Sequence, residues 1–494
     1  MAENKRAVII GAGIGGIATA LFLAKNGYTV DIYEKNAAPG GRSGQIIHEG
    51  HRFDLGATML VMPKIYHQVL DLLGVKLVEG IDIIPLKDLY RIYFDDGTDI
   101  TFTTDQERMK KQLESIEPGS YEKSLKYVSE GYEILQIAIN KLIGRNFYNL
   151  LQFANFRNIW LLIKLKTYIS NWSYAMKFFR HPHLLMAYTF QNIYVGQSPI
   201  SSPALFSMVP AAELTEGSFF PKGGIFEIVE KLVDAAESSG VKFHFNNPVS
   251  EIKISGKRAE SIVLGDGTEV KADIILANAD LPYVYRKLLP DKNISARLDR
   301  MKYSCSAICF HWGLDKVYPQ LGHHNVFLSD RMQQGLDRIF VDKSVGDHPS
   351  FYVHAPARTD LIAAPVNQDT LSVVVAAGHI DKSKNQDWDM ILQRTRKTVT
   401  ERLKLFGMED IEEHIKFEIC HTPESWESTC NISRGSVFGS LAHNIFQMGY
   451  FRPHNRHDRY HNLYFVGSST HPGNGIPNVL LSAKLVAERV LSGK

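Results

Sequence analysis

One stretch near the start of the chain decides the fold: residues 7–34 read AVIIGAGIGGIATALFLAKNGYTVDIYE. The apolar run 7–10 predicts a strand buried on both faces, and residues 29–33 predict a second strand. Between them, residues 14–26 predict a helix that Gly27 closes. A buried strand that turns through clustered glycines into a helix is typical of a nucleotide-binding βαβ unit.

The glycine spacing and the acid that ends this stretch predict how a nucleotide is held. In the G-x-G-x-x-G pattern, Gly11 permits the tight turn, Gly13 lets the backbone approach a pyrophosphate, and Gly16 lets helix and strand pack closely. Glu34 lies 23 residues after Gly11, where a carboxylate can accept hydrogen bonds from a ribose. The residues predicted to bind the nucleotide in this unit are Gly11, Ala12, Gly13, Gly15, Gly16, Glu34 and Lys35.

The overall composition argues against several classes of protein. The 494 residues carry a net charge of +2, with 44% hydrophobic and 22% charged residues, which favours neither a nucleic-acid-binding protein nor a disordered chain. The four cysteines show no CxxC spacing, so neither a zinc site nor a disulfide scaffold is predicted, and a cytoplasmic setting is expected. Residues 7–24 are uncharged like a signal peptide, but four glycines in six positions argue against a membrane helix there.

Two glycine-containing clusters follow the βαβ unit: residues 40–44 (GGRSG) and residues 53–58 (FDLGAT). Their position resembles that in flavoproteins of the glutathione-reductase and amine-oxidase type. The resemblance implies FAD as the cofactor, with the arginine and nearby backbone at the pyrophosphate and the flavin. It also implies that the segment around Val249 holds the adenine. The cofactor residues that it adds are Gly41, Arg42, Gly56, Ala57, Thr58, Val249 and Asn278.

The most specific stretch is residues 462–477, NLYFVGSSTHPGNGIP, which resembles the signature of the bacterial-type phytoene desaturase family of carotenoid desaturases. Ser468 and Asn474 depart from the small residues that are usual there. Further similarities recur at 220–224, 272–280, 304–306 and 452–453, so the resemblance covers nearly the whole chain and is greatest to the hydroxycarotenoid 3,4-desaturase branch. It adds Gly467, Ser468, Ile476, Pro477 and Val479 as cofactor-binding residues.

This resemblance implies an FAD-dependent desaturase that introduces C=C bonds into a polyene by hydride transfer to flavin N5. Loss of hydride leaves an allylic cation whose neighbouring C–H is acidic, so a weak base suffices and no catalytic residue is assigned. The electrons would pass on to a quinone or to oxygen. Three alternatives stay open: a carotenoid isomerase that uses reduced FAD, an amine oxidase, and a non-catalytic prenyl-lipid-binding protein of the same fold.

The resemblance and the predicted strands together imply an α/β fold with three parts. A Rossmann-type FAD-binding domain, like that of glutathione reductase and the amine oxidases, is expected from residues 1–75, 220–295 and 425–494. A mixed-sheet substrate domain is expected from 76–105 and 296–424, and a helical, membrane-facing subdomain from 106–219.

The helical part contains an unusual stretch without acids. Between Glu133 and Glu213, 79 residues include no Asp or Glu but seven cations: Lys141, Arg145, Arg157, Lys164, Lys166, Lys177 and Arg180. Ten aromatics, among them Trp160 and Trp172, lie between positions 141 and 180. One interpretation is a solvated basic face. The favoured one is a surface that docks on an anionic membrane, where a lipophilic carotenoid is collected by a cytoplasmic, peripherally associated enzyme.

Several histidines have spacings that call for an interpretation. His454, His457 and His461 are spaced like metal ligands, but the cations Arg456 and Arg459 lie between them, so no metal site is predicted. His471, within the C-terminal signature, has two possible roles: contact with the flavin or substrate, or a hydrogen bond to a loop carbonyl.

Overall fold

The computed structural model describes residues 5–76, 80–153, 156–289 and 291–493, without the side chains at positions 156, 157 and 159. Its strands are β1 (Arg6–Ile10), β2 (Thr29–Tyr33), β3 (Gln45–His48), β4 (His51–Asp54), β5 (Ile83–Pro85), β6 (Asp88–Tyr93), β7 (Asp99–Thr103), β8 (Phe219–Pro221), β9 (Lys242–His244), β10 (Val249–Ser255), β11 (Arg258–Leu264), β12 (Glu269–Lys271), β13 (Ile274–Ala277), β14 (Ser306–Leu314), β15 (His324–Phe327), β16 (Phe351–His354), β17 (Asp369–Ala377), β18 (Ile415–His421) and β19 (Leu463–Phe465).

Its α-helices are α1 (Ile14–Ala24), α2 (Pro63–Leu72), α3 (Gln106–Ile116), α4 (Ser120–Ala138), α5 (Leu150–Phe153), α6 (Phe156–Lys164), α7 (Asn171–Ala175), α8 (Pro182–Ala187), α9 (Met208–Glu216), α10 (Phe226–Ser238), α11 (Leu281–Tyr283), α12 (Lys292–Asp299), α13 (Met332–Phe340), α14 (Trp388–Leu405), α15 (Pro423–Cys430) and α16 (Ile476–Ser492). Within the described ranges, no helix is both long and apolar enough to span a bilayer.

A five-stranded parallel sheet in the order β19-β13-β1-β2-β9 forms the first layer of the structure. Its central strand β1 is buried on both faces, as predicted. Ala7 and Ile9 pack against helices α1, α2, α10 and α16, whereas Val8 and Ile10 pack toward the small antiparallel sheet β10-β11-β12. The apolar run without alternation is explained because both faces of the strand are covered.

A seven-stranded sheet in the order β18-β14-β17-β16-β15-β6-β7 forms the second layer. Its strands are antiparallel except at the β15–β6 pair, so the sheet is mixed. Strand β14 alternates: Ile308 and Phe310 lie in the core under α14, whereas Ala307 and Cys309 point to the other side. The two sheets confirm the predicted α/β fold with a mixed-sheet second part.

The predicted domain boundaries can be placed on these elements. The parallel sheet takes strands from all three segments expected for the nucleotide domain, and helices α3 to α9 occupy the segment expected to be helical. The boundaries at 220, 296 and 425 fall inside β8, α12 and α15 respectively.

Candidate cofactor and substrate site

A cavity of about 680 Å³ runs from the glycine loop of the parallel sheet to the open side of the mixed sheet. Of the 19 residues predicted to bind cofactor, 17 line it, although they come from three distant segments. Ala12 and Gly16 do not line it. The predicted residues on its wall are Gly11, Gly13, Gly15, Glu34, Lys35, Gly41, Arg42, Gly56, Ala57, Thr58, Val249, Asn278, Gly467, Ser468, Ile476, Pro477 and Val479.

The glycine loop is packed too closely to accept a Cβ atom at Gly13 or Gly16 without a shift of its neighbours, one of which is the side chain of Asn278, directly after β13. A Cβ atom at Gly13 would lie 2.7 Å from Asn278 Oδ1, and one at Gly16 would lie 2.3 Å from the Gly11 carbonyl oxygen. Asn278 Nδ2 also donates to the carbonyl of Val466 (3.1 Å), which ties the end of β13 to the end of β19. The glycines therefore admit Asn278 as well as a pyrophosphate, a role that the sequence did not reveal.

Glu34, buried at the end of β2, is held by two backbone donors. The N–H of Ala12 donates to its Oε2 (2.8 Å), and the N–H of Asn36 donates to its Oε1 (2.9 Å). A carboxylate oxygen has two lone pairs, so both oxygens retain capacity to accept further hydrogen bonds. A ribose diol at the cavity wall requires such an acceptor. Ala12 does not line the cavity itself, but its N–H holds the Glu34 carboxylate in place.

Two arginines, the half-buried Arg42 and the buried Arg452, hold the loop after β19. Arg42 donates to the Ser468 hydroxyl and to the carbonyl of Val437 (2.8 Å). Arg452 donates to four carbonyls, those of Ser468 (2.5 Å), Thr470 (2.9 Å), Gln447 (3.3 Å) and Leu441 (3.3 Å). Burial lowers the pKa of Arg452 to about 9, which still leaves the guanidinium protonated at neutral pH. Arg452 was absent from the predicted site, although it lies in the Arg452-Pro453 pair that resembles the family.

The two departures from the family signature, Ser468 and Asn474, have structural roles. Ser468 accepts the hydrogen bond from Arg42, and Asn474 Nδ2 donates to the carbonyl of Phe438. Both side chains pack on Gly439, where a Cβ atom would lie 2.9 Å from Asn474 Cβ. Asn474 also lines the cavity, and its buried Oδ1 has no partner. Asn474 Oδ1 can therefore accept a hydrogen bond from a group bound in the cavity.

Helix α16 begins at the cavity, with Ile476, Pro477 and Val479 in its wall. Pro477 lies in the first turn, where its missing N–H leaves no additional unpaired donor. The positive end of the helix dipole therefore points at the cavity, where it stabilises negative charge on a bound group.

Beyond these polar residues the cavity becomes apolar. Ala307 and Cys309 of β14 and Val374 of β17 form its floor. The rest of this apolar lining consists of Val61, Tyr66, Phe190, Ile193 and Tyr194, together with Val326, Leu328, Met332, Leu336 and Ile339. The contribution of α13 was not predicted, since nothing in its sequence distinguishes it from an ordinary amphipathic helix.

Two polar groups beside the apolar part, Tyr352 and Asp280, are occupied by hydrogen bonds within the protein, whereas His348, which also lines the cavity, pairs with Asp95 (3.1 Å). Tyr352 OH lies 2.7 Å from Thr58 Oγ1 and 2.6 Å from His324 Nδ1, so its hydrogen-bonding groups are occupied. Asp280 accepts from Ser440 Oγ (2.6 Å) and from the N–H of Ser433 (3.0 Å), which makes it a support for the loop. Tyr352 and Asp280 therefore support the site, and orientation together with a bound cofactor is the main source of chemistry beside them.

The histidines singled out by the sequence serve local hydrogen bonding. His471 Nε2 lies 3.1 Å from the carbonyl oxygen of Arg145, which supports the second of its two proposed roles. His457 Nδ1 accepts from the N–H groups of Arg459 (3.0 Å) and Tyr460 (3.2 Å). These contacts orient both rings within loops.

The sequence matches known proteins over nearly its whole length. The family described as flavin containing amine oxidoreductase matches residues 14–491. The zeta-carotene-forming phytoene desaturase of Myxococcus xanthus is 37% identical over 99% of this chain and 94% of that protein. The phytoene desaturase of Fusarium fujikuroi is 36% identical over 99% of this chain and 89% of that protein.

A solved structure shows the same fold at much lower identity. Putrescine oxidase bound to putrescine is 14% identical, with a TM-score of 0.64 over 99% of both chains. The fold alone is shared with this structure, whereas the phytoene desaturases are similar enough in sequence, over enough of their length, to establish family membership. The chain therefore belongs to the flavin containing amine oxidoreductase family and, within it, to the phytoene desaturase family of carotenoid desaturases.

Proposed function

We propose that this protein is an FAD-dependent desaturase that introduces C=C bonds into a carotenoid. The observation that carries the proposal is one cavity whose wall combines the predicted nucleotide-binding residues with a large apolar lining. A polyene needs apolar surroundings where its reacting bond meets the cofactor. The apolar lining offers such surroundings, which a non-catalytic lipid carrier would not need to join to an intact nucleotide site.

The residues present fit FAD. The glycine loop brings the backbone to the cavity wall, and Glu34 offers carboxylate lone pairs there. Asn474 Oδ1 is a buried acceptor without a partner, and the N-terminus of α16 faces the same space. When bound, FAD supplies a hydride acceptor for carbon–hydrogen bond cleavage. The chain's own residues contribute by excluding water and by fixing the polyene against that acceptor.

Product analysis tests the proposal. FAD-loaded protein should be incubated with a panel of carotenoids, with and without hydroxyl groups, because we expect a hydroxycarotenoid to be among the best substrates. A desaturase yields products lighter by two hydrogens per bond oxidised. An isomerase yields products of unchanged mass, and that result would remove the proposed reaction while leaving the fold and the cofactor in place.

Replacement of Glu34 by Gln should weaken FAD binding by about 10- to 100-fold, since a hydrogen bond to a charged group contributes about 1.5–3 kcal/mol. The new NH₂ group would also face the backbone donors that now point at the carboxylate. Equilibrium dialysis of apoprotein against FAD measures the change. Glu260→Gln, on an exposed position of β11, is the matched control. Unchanged affinity in the Glu34 variant would show that the ribose lies elsewhere.

The electron acceptor is a separate part of the proposal: a quinone or oxygen takes the electrons after each turnover. The support is chemical, since each dehydrogenation leaves two electrons on the cofactor that must be removed. Turnover should continue anaerobically with a soluble quinone if a quinone suffices. If turnover occurs only when oxygen is present, oxygen is the electron acceptor and the quinone is not.

Docking on a membrane is also proposed, but the structure changes the argument for it. Lys164 pairs with Glu133 (3.6 Å) and Lys166 with Glu130 (2.5 Å), so acids of α4 face two of the seven cations. Of the nine aromatics in this stretch whose side chains the structure describes, five are buried: Phe147, Phe153, Tyr174, Phe178 and Phe179. The charge and aromatic counts of the stretch therefore overstate what reaches the surface.

What supports docking instead is an exposed apolar surface on α5, α6 and the turns at 445–451. Leu151 is 82% exposed, Trp160 55% and Phe446 76%. The rings of Phe153 and Phe451 lie 5.4 Å apart, which brings the 449–451 turn beside α5. Scattered apolar side chains are ordinary on surfaces, but several that converge from two distant segments are typical of a lipid or protein contact.

The double variant Leu151→Glu, Trp160→Glu should bind vesicles about 10- to 100-fold more weakly, because full burial of one such side chain stabilises by about 1.5–3 kcal/mol. Co-sedimentation with vesicles of mixed neutral and anionic lipid measures this. The matched control is Val366→Glu, which changes a side chain that is 88% exposed on a different part of the chain. If vesicle binding falls equally in both proteins, or in neither, this surface does not dock on membranes and is ordinary solvent-exposed surface.

A further inference from the structure

Three buried histidines meet where β15 and β16 pair. His324 begins β15 and His354 ends β16, and the two are direct cross-strand partners; His323 immediately precedes β15. The ring centroids lie 4.4 Å (His323–His324), 4.8 Å (His323–His354) and 5.3 Å (His324–His354) apart. The side chains thus surround one point at this end of the mixed sheet, and Phe220 of β8 packs on two of the rings.

The ring nitrogens of these histidines are poorly satisfied by the protein. His323 Nδ1, His324 Nε2 and His354 Nδ1 are buried without a hydrogen-bond partner. His323 Nε2 and His354 Nε2 lie 3.2 Å apart, so they can share at most one proton between them. A group of neutral imidazoles with free lone pairs is what a metal ion requires.

The geometry points to a metal site: we propose that His323, His324 and His354 bind one divalent ion of the zinc type. One nitrogen from each ring lies within 4.8 Å of those of the other two, the one such group in the described part of the chain. Zn–N bonds of about 2.0–2.1 Å in a tetrahedron place the nitrogens about 3.3–3.4 Å apart. The His323–His354 pair already has nearly this spacing, with 3.2 Å between the two Nε2 atoms.

The surroundings of His324 favour this assignment. Its Nδ1 lies 2.6 Å from Tyr352 OH, which in turn lies 2.7 Å from Thr58 Oγ1. A histidine that binds metal through one nitrogen is commonly held by a hydrogen bond from the other, which fixes its tautomer and orientation. Here the free nitrogen, Nε2, is the one that can bind the ion.

The charged side chains beside the cluster are already neutralised. Arg52 pairs with the buried Asp360, and Arg358 pairs with Asp369 (2.6 Å). The ion therefore meets no uncompensated cation among these neighbours. It would join the start of β15 to the end of β16, and Phe220 of β8 packs on two of the rings that would hold it.

This proposal departs from the expectation that the protein holds no metal. That expectation considered histidines close together in the sequence, whereas His354 lies 30 residues after His324 and reaches it only through strand pairing.

Metal content tests the proposal without reference to activity. Full-length protein, stripped with a chelator, should be dialysed against buffered free Zn²⁺, and its zinc measured by mass spectrometry. We expect about one zinc per chain in the wild type, with a higher Tm, and almost none in His324→Gln and His354→Gln. Tyr352→Phe should retain the site with about 10- to 100-fold weaker affinity, because it loses the hydrogen bond that orients His324.

His311→Gln is the matched control, since His311 is also buried, also has an unpartnered Nε2, and lies on the same sheet outside the cluster. It should bind zinc like the wild type. Wild-type protein that takes up no zinc overturns the proposal whether or not the variants fold. Equal zinc in wild type and the two cluster variants overturns it as well.

Discussion

Arg452→Met should produce a protein that neither retains FAD nor keeps wild-type stability. The guanidinium is the shared donor for four buried carbonyls, and methionine offers no donor to any of them. A buried polar group that loses its partner costs about 1–3 kcal/mol. Removing the buried charge offsets part of this loss, so we expect a net destabilisation of about 3–5 kcal/mol.

In this variant, we expect the loss of bound FAD to be more pronounced than the loss of folding stability. Arg452 holds the carbonyls of Ser468 and Thr470, and this loop forms the cavity wall before α16. Flavin content per chain and urea unfolding measure the two effects. Arg456→Met is the matched control, because that neighbouring arginine donates to carbonyls from an exposed position. A variant with full flavin content would show that the loop keeps its shape without Arg452.

Glu213→Gln should change how stability depends on pH. Glu213 is buried on α9, where Tyr90 OH donates to its Oε2 (3.1 Å) and its Oε1 has no partner. Burial raises the pKa of this carboxyl to about 8. A raised folded-state pKa gives stability that is complete below the ordinary pKa and is lost as pH rises through the folded value. The wild type should therefore weaken between about pH 4.5 and pH 8.

The Gln variant has no proton to lose, so its stability should not show this decline. The gap between variant and wild type should widen with pH by up to about 5 kcal/mol, since one pKa unit corresponds to about 1.36 kcal/mol. The Gln amide can also donate to Gln191 Oε1, which is buried without a partner. Denaturant unfolding across this pH range gives the gap, with Glu237→Gln on the exposed face of α10 as control. A constant gap would mean that Glu213 is not buried as described.

The sequence predicted the nucleotide end of the cavity well because that chemistry is local. Gly11, Gly13 and Glu34 lie within one βαβ unit, and their spacing alone fixes a turn, a helix start and an acid. The C-terminal signature added Ser468 and Pro477 through resemblance to a family. Both groups of residues line one cavity.

What the sequence missed depends on distant contacts. Arg452 acts through carbonyls up to 18 residues away, and Asn278 reaches the glycine loop only through strand pairing. The acid-free stretch shows the opposite error: it contains no acid, but α4 places Glu130 and Glu133 beside its lysines. Counting along a chain cannot show which partners a neighbouring helix supplies.

The most direct test of the central claim is a single-turnover experiment without oxygen. FAD-loaded protein is mixed anaerobically with a carotenoid substrate, and the visible absorbance of the flavin and the mass of the product are followed together. An FAD-dependent desaturase should lose the absorbance of oxidised flavin in one-to-one proportion with a product lighter by two hydrogens. Bound carotenoid that leaves the flavin oxidised, or a product of unchanged mass, would contradict the account.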